Sequence, residues 1–95
     1  MKLYSISYSL RPDVAVPVCS AALRRIKDAG EWHHPIETVW FVATDKTSSE
    51  LFDATFDPDC YEGFFVTEVD PMTIKGWGSK LFWNWISQIK EKVNN

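Results

Sequence analysis

The sequence predicts an α+β fold, a ferredoxin-like βαββαβ sandwich over residues 1–70 with an added C-terminal helix over residues 77–93. Three observations predict it: an alternating first strand, a β, α, β, β, α, β order of the following segments, and a final amphipathic segment that is apolar over an unusually wide arc. With 95 residues the chain has room for one hydrophobic core, so residues 1–95 are expected to form a single domain.

The first strand is predicted over residues 3–10, because its side chains alternate in character. One face carries Tyr4, Ile6, Tyr8 and Leu10, and the other carries Leu3, Ser5, Ser7 and Ser9. We expect the first face to be buried. The second face, made mostly of small polar residues, is expected to lie open or to meet another surface closely.

The first helix is predicted from about Val14 or Pro17 to Ala29. Proline suits the first turn of a helix, and Gly30 fits the residue that follows a helix end. The positions that share the apolar stripe of this helix are Val18, Ala22, Ile26 and Ala29.

Two strands are predicted next, joined by a hairpin at residues 36–38. Residues 31–36 contain Pro35, which favours an edge position or a kink. Residues 38–44 are β-branched and aromatic throughout, which is typical of a central strand that is buried on both faces.

Thr47 and Glu50 have the spacing of a capping box, which predicts a short helix that runs to about Phe56. A strand follows over residues 63–69, and the last helix is predicted from Ser79 to about Val93. The apolar arc of that helix exceeds the roughly 100° that a surface helix needs, which suggests contact with a second surface. We therefore predict an interface formed by Trp77, Leu81, Trp83 and Trp85.

The net charge of −3 argues against a protein coated with basic charge for gripping phosphate backbones. A local cluster of basic residues remains, formed by Arg24, Arg25 and Lys27 on the first helix. These three are candidate nucleic-acid-binding residues, although a solvated helix face is the favoured interpretation.

No metal, cofactor or nucleophile site is predicted from the residues. The Asp57, Asp59 and Glu62 loop lacks the length and the central glycine of a calcium loop, so a solvated acidic turn is favoured. His33 and His34 are adjacent and therefore point to opposite faces of a strand. Cys19, near the start of a helix, has no accompanying base and is expected to be structural, and no GxSxG elbow is present.

The expected compartment is the cytoplasm. Cys19 and Cys60 form neither a disulfide framework nor a CxxC pair, which suits a reducing environment. No segment reaches the roughly 18 apolar residues that span a bilayer, so no membrane association is expected.

Several segments together resemble a known family. They are ISYSL in the first strand, ETVWFVATD, TSSELFDATF, GFFVTEV and the tail GWGSKLFWNWI. In this order they cover nearly the whole chain, and they resemble the small CRISPR-associated endoribonucleases (the second Cas protein) and their SinR-like bacterial relatives. The resemblance implies a ferredoxin-like fold that forms a homodimer.

In that family an Asp ends the first strand and, with its dimer mate, holds a divalent metal that activates water. The matching position here is Ser9, whose neutral hydroxyl is a poor ligand for Mg²⁺. Asp13 and Asp45 are the nearest acidic residues in the sequence, and neither matches the motif.

Three functions remain open. The leading hypothesis is a non-catalytic homodimeric binding or regulatory module of nuclease-like fold, with a protein partner, in a bacterial or phage defence setting that comes from the resemblance alone. The second is a metal-dependent nuclease that acts on RNA or DNA with Mg²⁺ held by other carboxylates. The third is nucleic-acid binding without cleavage.

Overall fold

The structure, a computed structural model, describes residues 1–93, apart from the side chains of Val16 and Val18. The last two residues of the predicted domain, and the Val18 position in the predicted apolar stripe, therefore lie outside the description. The elements run in the order β1 (Lys2–Leu10), α1 (Ser20–Asp28), β2 (Glu31–Ile36), β3 (Val39–Thr44), α2 (Ser48–Thr55), β4 (Tyr61–Val69) and α3 (Lys80–Val93). Short 3₁₀ turns at Val16–Cys19 and Pro71–Thr73 precede α1 and α3.

The four strands form one antiparallel sheet in the order β2-β3-β1-β4. β1 is central and pairs with β3 on one side and β4 on the other, while β2 pairs only with β3. This order confirms the predicted βαββαβ arrangement, in which each of α1 and α2 connects two strands that are not neighbours in the sheet. It also confirms the edge position of β2, the strand that contains Pro35.

The first face of the sheet carries the larger core. Its buried residues from the sheet and from the helices α1 and α2 include Tyr4, Ile6, Tyr8, Ala22, Ile26, Trp40, Val42 and Leu51. Two polar atoms in this core are paired in series: the indole N–H of Trp40 donates to the Tyr8 hydroxyl at 3.2 Å, and that hydroxyl donates to the Glu37 carbonyl at 2.9 Å. The aromatic residues of β1 and β3 therefore also hold the β2–β3 hairpin.

The second face carries a smaller core beneath α3. Leu3 and Ala43 of the sheet pack with Phe82, Ile86 and Ile89 of the helix, and all five are buried. The helix residues are spaced three or four apart, so they form one stripe on a single face. The added helix is therefore an integral layer of the domain.

The capping box of α2 is present as predicted. The backbone N–H of Glu50 donates to the Thr47 hydroxyl at 3.2 Å, and the backbone N–H of Thr47 donates to the Glu50 carboxylate at 2.9 Å. Such a cap satisfies two donors that a helix start otherwise leaves unpaired.

Gly30 follows Ala29, the C-cap residue of α1, and so occupies the position after the helix end that the sequence predicts for it. No residue among those described has a positive φ, so Gly30 does not end the helix in the left-handed conformation typical of such glycines. Instead, a Cβ at this position would lie 2.3 Å from the backbone oxygen of Ala43. Glycine is required here because two backbone segments approach closely.

Three predicted boundaries also differ. The C-terminal helix, predicted over residues 77–93, begins only at Lys80, where the Ser79 hydroxyl caps its start. A 3₁₀ turn over Val16–Cys19 replaces the first part of the predicted first helix, so the α-helix begins only at Ser20. β4 begins at Tyr61, two residues before the predicted start, because its pairing with β1 extends through a bulge between Ser9 and Leu10.

Candidate protein-binding surface

Only part of the second sheet face is covered by α3. Beyond the helix, the strand register places Ile36, Val39, Ser7 and Phe65 side by side, one from each strand. Phe65 is 70% exposed and Ile36 is 61% exposed. The face that carries the serines of β1 is thus closed at the Leu3 end and open at the Ser7 end.

A groove of about 260 Å³ lies between this open part and the segment that leads into α3. Apolar side chains dominate its walls, notably Ile36, Val39, Phe41, Ile74, Trp77 and Trp83. Lys75 is the one charged residue in the lining. We call the groove together with Phe65 the open apolar surface.

The segment after β4 is turned toward the groove by a cap. The Asp70 carboxylate accepts the backbone N–H of Met72 at 2.9 Å, and the Asp70 carbonyl accepts the Thr73 hydroxyl at 2.9 Å. These bonds stabilise the 3₁₀ turn Pro71–Thr73, which places Ile74 against the smaller core. The chain then continues without regular structure to Lys80.

Trp77 lies within that segment and is fully exposed. A methyl group added at Gly76, its preceding neighbour, would meet nothing within 4 Å. At the end of the segment, the Ser79 hydroxyl accepts the backbone N–H of Phe82 at 3.1 Å and so caps the start of α3. The indole is therefore exposed to solvent at the rim of the groove, although both ends of its segment are fixed.

The four predicted interface residues fall into two groups. Trp77 and the half-buried Trp83 both line the groove. Leu81, which is 74% exposed, and the half-buried Trp85 are not among the lining residues. Trp85 instead packs against His33 of β2, with ring centroids 5.7 Å apart.

Sequence reasoning did not single out Phe65 and Ile36 as parts of this surface. A signal for Phe65 was present, because adjacent Phe64 and Phe65 must point to opposite faces of a strand. Phe64 packs on the larger core, so Phe65 emerges on the serine-bearing face. Ile36 had no such signal, because its direction depends on the irregular register between His33 and Ile36.

Ser9, the position at which the resemblance expects an Asp, is exposed and lies opposite Gly63 on β4. Asp45 follows β3 at the other end of the sheet, where Thr44 pairs with Lys2. At about 3.3 Å per residue, the seven-residue separation along β1 from Lys2 to Ser9 corresponds to roughly 23 Å. Asp45 and Ser9 therefore do not belong to one site within a single chain.

Asp13 is closer to Ser9 but is already engaged. Its carboxylate accepts two bonds from the Arg11 guanidinium, each at 3.3 Å, and these bonds lower the pKa of Asp13. Among residues 1–93, His, Cys, Asp and Glu side chains form no group of three that could hold a metal ion. In the acidic loop, the Asp57 carboxylate accepts a hydrogen bond from the backbone N–H of Asp59 at 2.9 Å.

Both cysteines are buried as free thiols. A hydrogen bond with Cys19 and burial raise the pKa of the Cys60 thiol to about 11. Cys60 is therefore protonated at neutral pH and is a poor nucleophile.

The three basic residues of α1 are separated by the fold. Arg25 approaches Asp57, with 4.0 Å between its guanidinium and the carboxylate. Arg24 and Lys27 line a different groove, between α1 and β2. The three basic residues therefore do not form one cluster: Arg24 and Lys27 share a groove, whereas Arg25 forms an ion pair elsewhere.

Comparisons with known proteins return nothing: no family model, no curated protein and no solved structure matches this chain. Within the described part of the chain, every helix is too short or too polar to traverse a bilayer.

Proposed function

We propose that the protein is a non-catalytic binding module that takes up a protein partner on the open apolar surface. The observation that carries the proposal is that two exposed large apolar side chains, Ile36 and Trp77, line one groove. A third, Phe65, is exposed on the same face of the sheet, in register with Ile36 through Val39 and Ser7. Contiguous exposed apolar patches on small domains mark interaction sites, and tryptophan is enriched among residues that dominate binding energy.

The composition of the surface favours a protein over a nucleic acid as the partner. Its single charged lining residue, Lys75, supplies little of the positive charge that a phosphate backbone requires. Aliphatic side chains such as Ile36, Val39 and Ile74 complement an apolar side chain of a partner better than they complement a sugar-phosphate chain.

Co-purification from the native cell followed by mass spectrometry tests this proposal when it includes matched variants. Trp77→Ala is expected to lose a partner that the unsubstituted protein retains. Met72→Ala, which removes another exposed apolar side chain outside the groove lining, is expected to retain it. A partner set that is the same for all three proteins would contradict the proposal.

We also propose that the module acts as a homodimer, as the resemblance implies. The nine-residue edge strand β4 supports this, because it pairs only with β1 and leaves its other edge for a second copy of the chain. Light scattering at micromolar concentration is expected to give twice the mass of the chain. Phe65→Glu is expected to shift the mass to that of a monomer, Met72→Glu is expected to leave it unchanged, and a strict monomer before any substitution would refute the dimer.

A metal-dependent nuclease is the alternative, favoured by one observation. Asp13 and Glu62 line the same shallow groove beyond the end of β1. Incubation of RNA and DNA with Mg²⁺ or Mn²⁺ decides between the two functions. The binding module predicts no cleavage above background, whereas cleavage that Asp13→Ala or Asp45→Ala abolishes would establish the nuclease.

The proposed compartment is the reducing cytoplasm. The two cysteines support this proposal, since both are buried as free thiols.

A further inference from the structure

A second groove lies on the opposite side of the sheet from the open apolar surface, between α1 and the edge strand β2. It has a volume of about 310 Å³ and is lined by Ser20, Leu23, Arg24, Lys27, His34 and Trp40. This volume is at the lower end of the range for small-molecule sites. The lining contains two cations and no carboxylate, although the chain as a whole has a net charge of −3.

The helix presents its share of the lining on one face. Ser20, Arg24 and Lys27 are separated by four and then three residues, and residues at these spacings are neighbours on a helix surface. Arg25 is one residue further along, about 100° around the helix, and approaches Asp57 instead. The helical register therefore selects two of the three basic residues for the groove.

Within the described part of the chain, the two cations of the groove have no carboxylate partner. Among residues 1–93, no ion pair involves either Arg24 or Lys27. Like charges three residues apart repel each other on a helix, and an anion bound between them would relieve that repulsion. Guanidinium and ammonium groups together are the usual donors to phosphate oxygens.

Aromatic rings form the other wall. His34 is exposed, and one face of its imidazole stacks on Trp40, with centroids 3.9 Å apart and planes at 10°. Its Nε2 lies 2.9 Å from the Glu37 carbonyl, and because a carbonyl only accepts, this nitrogen carries the proton. The imidazole is thus fixed in orientation, and Nδ1 remains an acceptor in the neutral ring.

The Lys27 ammonium is also positioned by an aromatic ring. It lies 5.2 Å from the centroid of the Trp32 ring, a cation–π distance. Trp32 in turn packs on Trp40, with centroids 5.1 Å apart. These contacts hold the ammonium beside the groove without using a carboxylate.

We propose that this groove binds a small phosphate monoester that carries a flat ring, of which a nucleoside monophosphate is the simplest example. The phosphate lies between Arg24 and Lys27, and the ring stacks on the free face of His34. The site lies at the β2 edge of the sheet, apart from the open apolar surface and from β4, so its occupancy does not depend on dimer formation.

Isothermal titration calorimetry with AMP, adenosine and inorganic phosphate tests the proposal on the full chain. AMP is expected to bind more tightly than adenosine or inorganic phosphate. Arg24→Ala and Lys27→Ala are each expected to weaken AMP binding by about tenfold or more, the usual effect of losing a hydrogen bond to a charged group. The matched control Arg25→Ala, on the same helix, is expected to change it less than about twofold.

The variant His34→Ala distinguishes the contribution of ring stacking to AMP affinity from the contribution of the phosphate. It is expected to weaken AMP binding while leaving inorganic phosphate binding unchanged. Thermal unfolding of each variant shows whether it is folded, and the charge-reversed Lys27→Glu serves if an alanine variant is not. Absence of AMP binding at millimolar concentration, or an equal loss in Arg25→Ala, would overturn the proposal.

Discussion

His33 of β2 lies edge-on to Phe82 of α3, with ring centroids 5.4 Å apart and planes at 69°. This contact joins an edge strand to the C-terminal helix at the margin of the smaller core. The Nδ1 atom of His33 is buried there and has no hydrogen-bond partner. Burial, with a smaller contribution from His34, lowers the pKa of His33 below its ordinary value of 6.5.

We predict that stability falls as the pH is lowered from 7 toward 5. The unfolded chain binds a proton at His33 more readily than the folded chain does, so acid favours unfolding. The loss begins near the unfolded pKa of about 6.5 and is complete below the lower folded pKa. Urea unfolding at several pH values between 7 and 5 measures this loss in the free energy of unfolding.

His33→Phe is the matched variant, because it keeps a ring beside Phe82 and removes the titrating group. Its stability is expected to vary less between pH 7 and pH 5 than that of the unsubstituted protein. The carboxyls of Asp13 and Glu50, whose pKa values are lowered by hydrogen bonds, titrate below this window. An unchanged pH profile in the variant would show that other groups cause the effect.

The attachment of α3 gives a second prediction. Ile86 is 1% exposed between the helix and the sheet, so Ile86→Ala is expected to lower the free energy of unfolding by about 2–5 kcal/mol. Leu81→Ala, on the same helix, is expected to change it by less than about 0.5 kcal/mol, because that side chain is largely exposed. If both variants lost the same free energy of unfolding in dilute solution, α3 would not pack on the sheet through Ile86 as described.

The close approach at Gly30 gives a third prediction. Gly30→Ala places a methyl group against the backbone oxygen of Ala43, and backbone cannot swing away as a side chain does. We expect a loss of about 1–3 kcal/mol in the free energy of unfolding. Gly76→Ala enters open space, so its melting temperature is expected to match that of the unsubstituted protein or to exceed it slightly.

The cap of α2 gives a fourth prediction. Thr47→Ala removes the acceptor for the Glu50 backbone N–H and is expected to cost about 1 kcal/mol of stability. Ser48→Ala, one residue further along and exposed, controls for the loss of a hydroxyl near the same helix end. Denaturant midpoints compare the two, and a Ser48 effect as large as that of Thr47 would contradict the assigned cap.

Local patterns were sufficient for the order of the elements. Alternation in residues 3–10 identified both faces of β1, and the Thr47 and Glu50 spacing identified a helix start, because both signals depend on neighbours in sequence. The reason why position 30 requires glycine could not be inferred from neighbouring residues in the sequence. It depends on Ala43, which lies thirteen positions away in the sequence and reaches Gly30 only through sheet pairing.

The candidate sites were predictable only in part. The aromatic tail was predicted to be a contact surface, and it stays a prediction. Which half of the sheet stays open depends on how residues 70–79 place α3. The second groove was missed because it joins Lys27 of a helix to His34 of a strand. A run of basic residues such as Arg24 and Arg25 does not show which one turns toward an aromatic wall.

The central position of β1 has a consequence for how the chain reaches its folded state. β1 is synthesised first, yet its partners on either side are β3 and β4, so the sheet cannot close until Val69 has left the ribosome. Pairing across such distances in sequence is slow compared with helix formation. During synthesis the alternating apolar residues of β1 therefore stay exposed until β3 and β4 emerge, and a transiently exposed apolar strand is prone to aggregation.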